Sequence, residues 1–190
     1  MDSNAIRQLM RERRRSLSSA QQTVASRGLA QQLSRLPAFY NSKRIAFYLA
    51  NDGEIDPQFA MGIAEAAGKE CYLPVLHPLK QKRLYFAQYR SDDALSVNRF
   101  GIEEPYLRGA KVVPPLGLDL ILLPLVAFDC RGNRLGMGGG FYDRTLATQK
   151  HFTRLIGLAQ SCQETDNIAH QPWDVVLQAI VTEKNVIYPR

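Results

Sequence analysis

Leu120-Ile121-Leu122-Leu123-Pro124-Leu125-Val126-Ala127-Phe128 is an apolar run that passes into Asp129-Cys130-Arg131-Gly132-Asn133 and then Arg134-Leu135-Gly136-Met137-Gly138-Gly139-Gly140-Phe141-Tyr142-Asp143-Arg144. A run of that kind, bounded by turn residues, is the pattern of a strand buried on both faces. Residues 119–128 are therefore read as the longest strand, 129–133 as a turn and 141–149 as a helix. Four glycines stand close together between Arg134 and Phe141. Glycine lets the backbone approach a ligand and adopt positive φ, so successive N–H groups can converge on phosphate oxygens. A helix opening near Gly140 adds its unpaired N–H groups to that field. A plain flexible connection is the alternative, but the framing arginines and aromatic pair point to a bound anion.

Outward from this stretch, helix and strand patterns alternate. Arg44-Ile45-Ala46-Phe47-Tyr48-Leu49-Ala50 reads as a second buried strand, left by the turn Asn51-Asp52-Gly53-Glu54. Pro57 suits the first turn of a helix over 57–67, stopped by Gly68. A strand over 70–76 completes a βαβ unit, and 84–89 reads as a shorter, more exposed strand. Residues 91–118, with Pro105, Pro114 and Pro115, are loop-rich and placed to cover a pocket. Strands over 154–159 and 177–182 follow. Ser18 and Ser19 are candidate caps for a helix to Leu36, ended by Pro37. The fold class is α/β, a three-layer sandwich around a mostly parallel sheet. Ligands of such sheets bind beyond the carboxyl ends of the strands, where Glu54 and the glycine segment would both lie.

The 190 residues suit one domain, 1–190, with an ordinary core. With 45% hydrophobic and 22% charged residues the chain is globular. It shows no signal-peptide pattern and no apolar stretch long enough for a bilayer, so a cytoplasmic location and no membrane partner are expected. Cys71, Cys130 and Cys162 are scattered, which argues against disulfides or a paired-cysteine zinc site. His77, His151 and His170 have no ligand spacing. The formal charge of +6 owes much to Arg7, Arg11, Arg13, Arg14 and Arg15, on an amphipathic helix with Ile6, Leu9 and Met10. Those arginines are read mainly as a solvated face that can lean over the phosphate site. No aromatic RNA-binding signature accompanies them, so no nucleic-acid partner is expected.

The run from Pro124 through Asp129, Gly132, and Arg134 through Asp143 resembles the signature of the 5-formyltetrahydrofolate cyclo-ligase (5,10-methenyltetrahydrofolate synthetase) family. The resemblance extends over the basic N-terminal helix, Asp52-Gly53-Glu54-Ile55-Asp56, Tyr72-Leu73-Pro74, Gly101-Ile102-Glu103-Glu104-Pro105 and Trp173-Asp174. It implies a sandwich related to sugar-phosphate isomerases and CoA-transferases. It also implies closure of 5-formyltetrahydrofolate to 5,10-methenyltetrahydrofolate with ATP as co-substrate and Mg2+ as cofactor; separately, a monomer is expected.

By that resemblance Arg7, Arg134, Leu135, Gly136, Met137, Gly138, Gly139, Gly140, Phe141 and Tyr142 bind ATP. Leu49, Glu54, Met137, Gly138, Gly139, Gly140 and Phe141 bind the folate. Arg134, Tyr142 and Glu54 are the catalytic candidates, and Asp143 and Asp174 the metal ligands. The residues themselves leave other readings open. Asp143 also suits the dipole of a helix's first turn, Trp173-Asp174 a packed corner, Phe141-Tyr142 the core, and Glu54 a solvated turn. Two positions depart from the family: Ser3 and Gly139 stand where lysines are common or occur, and Arg131 or Arg144 is available to replace the latter's charge. A non-catalytic nucleotide- or RNA-binding module, and an isomerase or CoA-transferase on the same scaffold, are the alternative functions. ATP turnover separates them from the cyclo-ligase.

Overall fold

A computed structural model describes residues 2–80, 82–147, 153–169, 171 and 173–189. Helices α1 (Ser3–Arg15), α2 (Ser19–Ser34) and α3 (Pro37–Tyr40) lead into strand β1 (Arg44–Ala46). Then come α4 (Gln58–Ala66), β2 (Glu70–Leu76), β3 (Leu84–Gln88), β4 (Leu95–Val97), β5 (Glu103–Pro105) and β6 (Val112–Val113). The remainder comprises β7 (Leu120–Pro124), β8 (Ala127–Phe128), β9 (Arg134–Leu135), α5 (Phe141–Leu146), β10 (Arg154–Leu158), β11 (Ala179–Val181) and β12 (Val186–Ile187).

The main sheet has the order β12-β11-β10-β7-β1-β2-β3-β6. β11, β10, β7, β1 and β2 are parallel neighbours, and β12 and β3 flank them antiparallel. The alternation of side chains sends Ile45, Leu73, Leu120, Leu122, Ile156 and Val181 to one face, under Leu29 and Leu33 of α2 and Ala60 and Ala64 of α4. Ala46, Tyr72, Ile121, Leu123, Leu155 and Ile180 face the other way, against Leu146 of α5 and Leu118, Val175 and Leu177. Apolar residues at consecutive positions are thus explained by two covered faces. α2 starts where expected: Ser18 Oγ accepts from Gln21 N at 3.3 Å, and Gln21 Oε1 from Ser18 N at 2.8 Å, a reciprocal capping box.

Four expectations need correction. The 119–128 run is not one strand: β7 ends at Pro124, Leu125 N still donates to Leu158 O at 3.0 Å, and Val126 N turns to Leu135 O at 2.8 Å. The chain thereby leaves the sheet, and β8 pairs antiparallel with β9 in a ribbon of two strands. β3 is not an exposed strand, because β6, from a distant part of the chain, shields its outer edge and Leu84, Phe86 and Ala87 are buried. The 44–50 strand is shorter than expected. After Phe47 N donates to Tyr72 O at 2.9 Å the chain leaves β2. Pro37 does not merely stop α2 but opens α3. α5 is described to Leu146; the expected ends at 148 and 149, together with His151 and His170, lie outside the described residues.

Candidate functional site

Both segments that leave the parallel strands at their carboxyl ends border one cavity of about 1020 Å3. From β1 come Tyr48, Leu49, Asn51, Asp52 and Glu54, and from the β8–β9 ribbon onward come Arg134 to Arg144. α1 adds Ser3 and Arg7, and the loop-rich segment adds Asn98, Phe100, Ile102, Glu103 and Glu104. Leu49, Glu54, the 134–143 segment and Asp174 all line this one cavity.

The ribbon sets the glycine segment in place. Asp129 at its turn accepts from Arg131 N at 3.0 Å and Asn133 N at 2.9 Å through Oδ1, and from Asn133 Nδ2 and Ile168 N through Oδ2. Beyond β9, Gly138 (φ 87°) and Gly140 (φ 66°) take the left-handed conformation that side chains disfavour. Arg7 Nε donates to Gly136 O at 2.8 Å, so α1 does reach the segment. Arg144 Nη1 donates to Gly139 O at 2.7 Å, bringing a guanidinium beside the glycine segment. α5 begins at Phe141 with Gly140 as its N-cap, but its six residues contribute only a short dipole.

Arg134 and Asp143 are partners. Arg134 Nη2 lies 2.6 Å from Asp143 Oδ1, and only 9% of the arginine side chain is exposed. The same Asp143 oxygen accepts from Val175 N at 3.3 Å. Asp174 Oδ2 accepts from Gln171 N at 2.9 Å, and Trp173 beside it is 68% exposed, so this pair is not a packed corner. Asp143 and Asp174 both line the cavity. Carboxylates of this kind are what magnesium takes, one or two at a time, alongside phosphate oxygens and water. Among the described residues there is no cluster of three or more histidine, cysteine or acidic side chains that could hold a metal ion.

Glu54 is not solvated. Its side chain is 12% exposed, Oε2 accepts from Asn51 N at 3.2 Å, and Oε1 lies 3.8 Å from Arg14 Nη2. Burial pushes its carboxyl up to about 7, with Arg14 pulling the other way. Tyr142, which also packs against the sheet, is held strongly protonated by burial and then by the charge of Glu54. Phe141 meets Phe100 edge-on, centroids 5.7 Å apart at 85°. Both aromatics of the pair therefore border the cavity.

A profile of the 5-formyltetrahydrofolate cyclo-ligase family matches residues 1–183. The chain is 41% identical over 179 residues to the Escherichia coli K12 5-formyltetrahydrofolate cyclo-ligase, covering 94% of this chain and 98% of that protein. It is 42% identical over 173 residues to the Haemophilus influenzae 5-formyltetrahydrofolate cyclo-ligase, covering 90% and 92%. The chain belongs to the 5-formyltetrahydrofolate cyclo-ligase family. Its fold matches the NMR structure of Aquifex aeolicus 5,10-methenyltetrahydrofolate synthetase with a TM-score of 0.82 and 33% identity, covering 100% of this chain and 94% of that one. The Mycoplasma pneumoniae 5,10-methenyltetrahydrofolate synthetase gives a TM-score of 0.77 at 25% identity, covering 96% and 99%. No described helix is long and apolar enough to cross a membrane.

Against this family background, the arginine-rich helix is the largest departure from expectation. Arg11, Arg14 and Arg15 all donate to the Asp52 carboxylate, and Arg14 is fully buried. Burial alone would raise the Asp52 carboxyl, but the bonds from the three guanidiniums outweigh it and hold the group below its usual range. Asp52 can collect them because its backbone is left-handed (φ 54°) in the turn after β1. Phe100, Tyr48, Arg14 and Asp52 are cavity or support residues that the motif reading missed. For Phe100, Tyr48 and Asp52 the signal was nearness in sequence to Glu54 or to the proline-rich cover; for Arg14 there was none.

Proposed function

We propose that the cavity is where ATP and 5-formyltetrahydrofolate meet and where this chain closes the folate to 5,10-methenyltetrahydrofolate, releasing ADP and phosphate. The observation that carries the reading is that one cavity joins the glycine segment, Arg7, Arg134, Asp143 and Glu54. Its volume of about 1020 Å3 is at the top of the range of roughly 300–1,000 Å3 usual for one small ligand. Two substrates can lie side by side there.

A formamide carbon is a weak electrophile whose oxygen would have to depart as hydroxide. Transfer of the ATP γ-phosphoryl group to that oxygen gives an iminium phosphate. N10 then attacks the carbon and inorganic phosphate leaves. The protein's task is placement and charge stabilisation. Amides of Gly136 to Gly140 and the guanidiniums of Arg7 and Arg134 cradle the phosphates, with Leu135 and Tyr142 completing the wall. Arg134 suits the transferring group because a planar fork can meet two phosphate oxygens at once. Leu49, Met137 and Phe141 offer apolar surface to the folate. Glu54 accepts from donors of the reacting ring system and holds the amide in line. The buried Tyr142 remains a hydroxyl and can donate to charge developing on the phosphate. Asp143 and Asp174 would hold magnesium, which when bound neutralises phosphate charge. The reading carries with it a single-domain monomer in the cytoplasm.

Purified protein mixed with magnesium, ATP and 5-formyltetrahydrofolate should release ADP and generate the absorbance of the methenyl product. Absence of both overturns the proposal. Nucleotide or RNA binding without ADP release would favour the non-catalytic module, and turnover without ATP an isomerase- or CoA-transferase-like enzyme.

A further inference from the structure

Arg14 comes from a surface-type sequence, Arg13-Arg14-Arg15, yet none of it is exposed. Its guanidinium is used on three sides. Nε donates to Asp52 O at 2.8 Å, Nη2 to Asp52 Oδ2 at 2.9 Å, and Nη1 to Leu125 O at 3.4 Å. Leu125 lies just beyond the end of β7, where the chain departs for the glycine segment. Nη2 also stands 3.8 Å from Glu54 Oε1, a separation that makes an ion pair without a tight hydrogen bond. One carboxylate, Asp52, faces three guanidiniums, so the cluster retains positive charge on the side of Glu54.

We infer that Arg14 is a positioning residue acting through Glu54: it holds that carboxylate at the cavity wall and favours its charged form against the pull of burial. The inference rests on the role proposed above for Glu54. A buried carboxylate with no cation nearby would take up a proton and become a hydroxyl donor. Its hydrogen-bonding sense toward the folate would then be reversed. The groups facing Glu54 are Arg14 of α1, Asp52 of its own turn, Tyr48 after β1 and Tyr142 of α5. The tyrosines are both held protonated by burial, and Asp52 is a like charge. Arg14 is thus the cation among them, and its loss has a definite sign.

The test is a side-chain carboxyl 13C NMR titration of Glu54, run beside the pH profile of kcat/KM for the folate. Arg14→Gln should move the Glu54 midpoint up by about one pH unit or more. It should shift the acid limb of kcat/KM equally, so that activity lost near neutrality is regained at higher pH. Asp52→Asn removes a like charge and should move the midpoint down, and this arm carries the test if Arg14→Gln does not fold. Arg14→Lys, which keeps the charge, should leave the midpoint near that of the unaltered protein. An unmoved midpoint, or shifts of the wrong sign, overturns the inference, as does an activity loss equal at every pH. A shifted midpoint in an enzyme whose kinetics ignore Glu54→Gln would instead overturn the role given to Glu54.

Discussion

Arg134 and Asp143, on either side of the glycine segment, form an ion pair at 2.6 Å, so the residue proposed for the phosphates holds the one proposed for the metal. The pair aligns both groups before substrate arrives, and a phosphate chain with its cation offers each a new partner. Arg134→Ala should lower kcat/KM for ATP by about 10²–10³-fold, the cost usual for a lost donor to developing charge. Asp143→Asn should raise the magnesium concentration needed for half-maximal turnover. Because each change also frees the other side chain, the double variant should fall short of the product of the single effects. Steady-state kinetics over a magnesium series measures this, and full multiplicativity would show that the pair does not act as a unit.

Glu54 sits in an environment that costs stability. Its ordinary value of 4.5 rises to about 7 in the folded protein, a difference on the order of 3 kcal/mol. The folded state therefore binds this proton more tightly than the unfolded chain does. Stability through this group is unpenalised below pH 4.5 and falls as pH rises toward 7. Glu54→Gln removes the titration, so its stability relative to the unaltered protein should be greater at pH 8 than at pH 4.5. The same change should abolish most turnover. Thermal melts at the two pH values, paired with the cyclisation assay, measure both effects.

How far the sequence carried depended on the range of the interactions involved. The parallel sheet was legible because 120–124 and 71–76 are apolar at successive positions, which only two covered faces explain. α2 was legible because Ser18 and Gln21 close its end locally. The β8–β9 ribbon was not, because the break after Pro124 depends on where Val126 N finds its acceptor. Likewise nothing local distinguishes Arg14 from Arg13. Its burial follows from a left-handed aspartate 38 residues away. The glycines, Arg134 and Asp143 were visible as a contiguous motif, whereas Phe100 reaches them through a hairpin.

The glycine segment needs its backbone conformation at Gly140 more than it needs glycine in general. A Cβ there would clash with Arg144 Nη1, and φ is 66°. Gly140→Ala should cost about 1–2 kcal/mol from the left-handed conformation alone. It should also dislodge Arg144 from Gly139 O and raise KM for ATP. Gly62, inside α4, provides the contrast, since a Cβ there meets nothing within 4 Å. Gly62→Ala should stabilise by about 0.5–1 kcal/mol and leave the kinetics alone. Denaturant melts and ATP titrations of both variants test whether conformation or mere small size is at issue.

Phe100 stands at the tip of the β4–β5 hairpin, and the tip is organised from within. Asn98 Oδ1 accepts from Phe100 N at 2.9 Å and Ile102 N at 3.3 Å, while Glu104 Oε2 accepts from Asn98 Nδ2 at 3.1 Å and from Leu76 N at 3.3 Å. Glu104 thereby ties the hairpin to the end of β2, and the aromatic ring is presented to Phe141 across the cavity. An edge-on aromatic pair contributes about 0.5–1.5 kcal/mol beyond its buried area. If the pair forms part of the folate's wall, Phe100→Ala should raise KM for the folate by about 2- to 12-fold and leave KM for ATP nearly unchanged. Asn98→Ala, which loosens the tip without removing the ring, should give a smaller shift in the same direction. Kinetics with each substrate varied in turn separate the outcomes. An equal rise in both Michaelis constants would mean that the hairpin supports the cavity as a whole rather than the folate side.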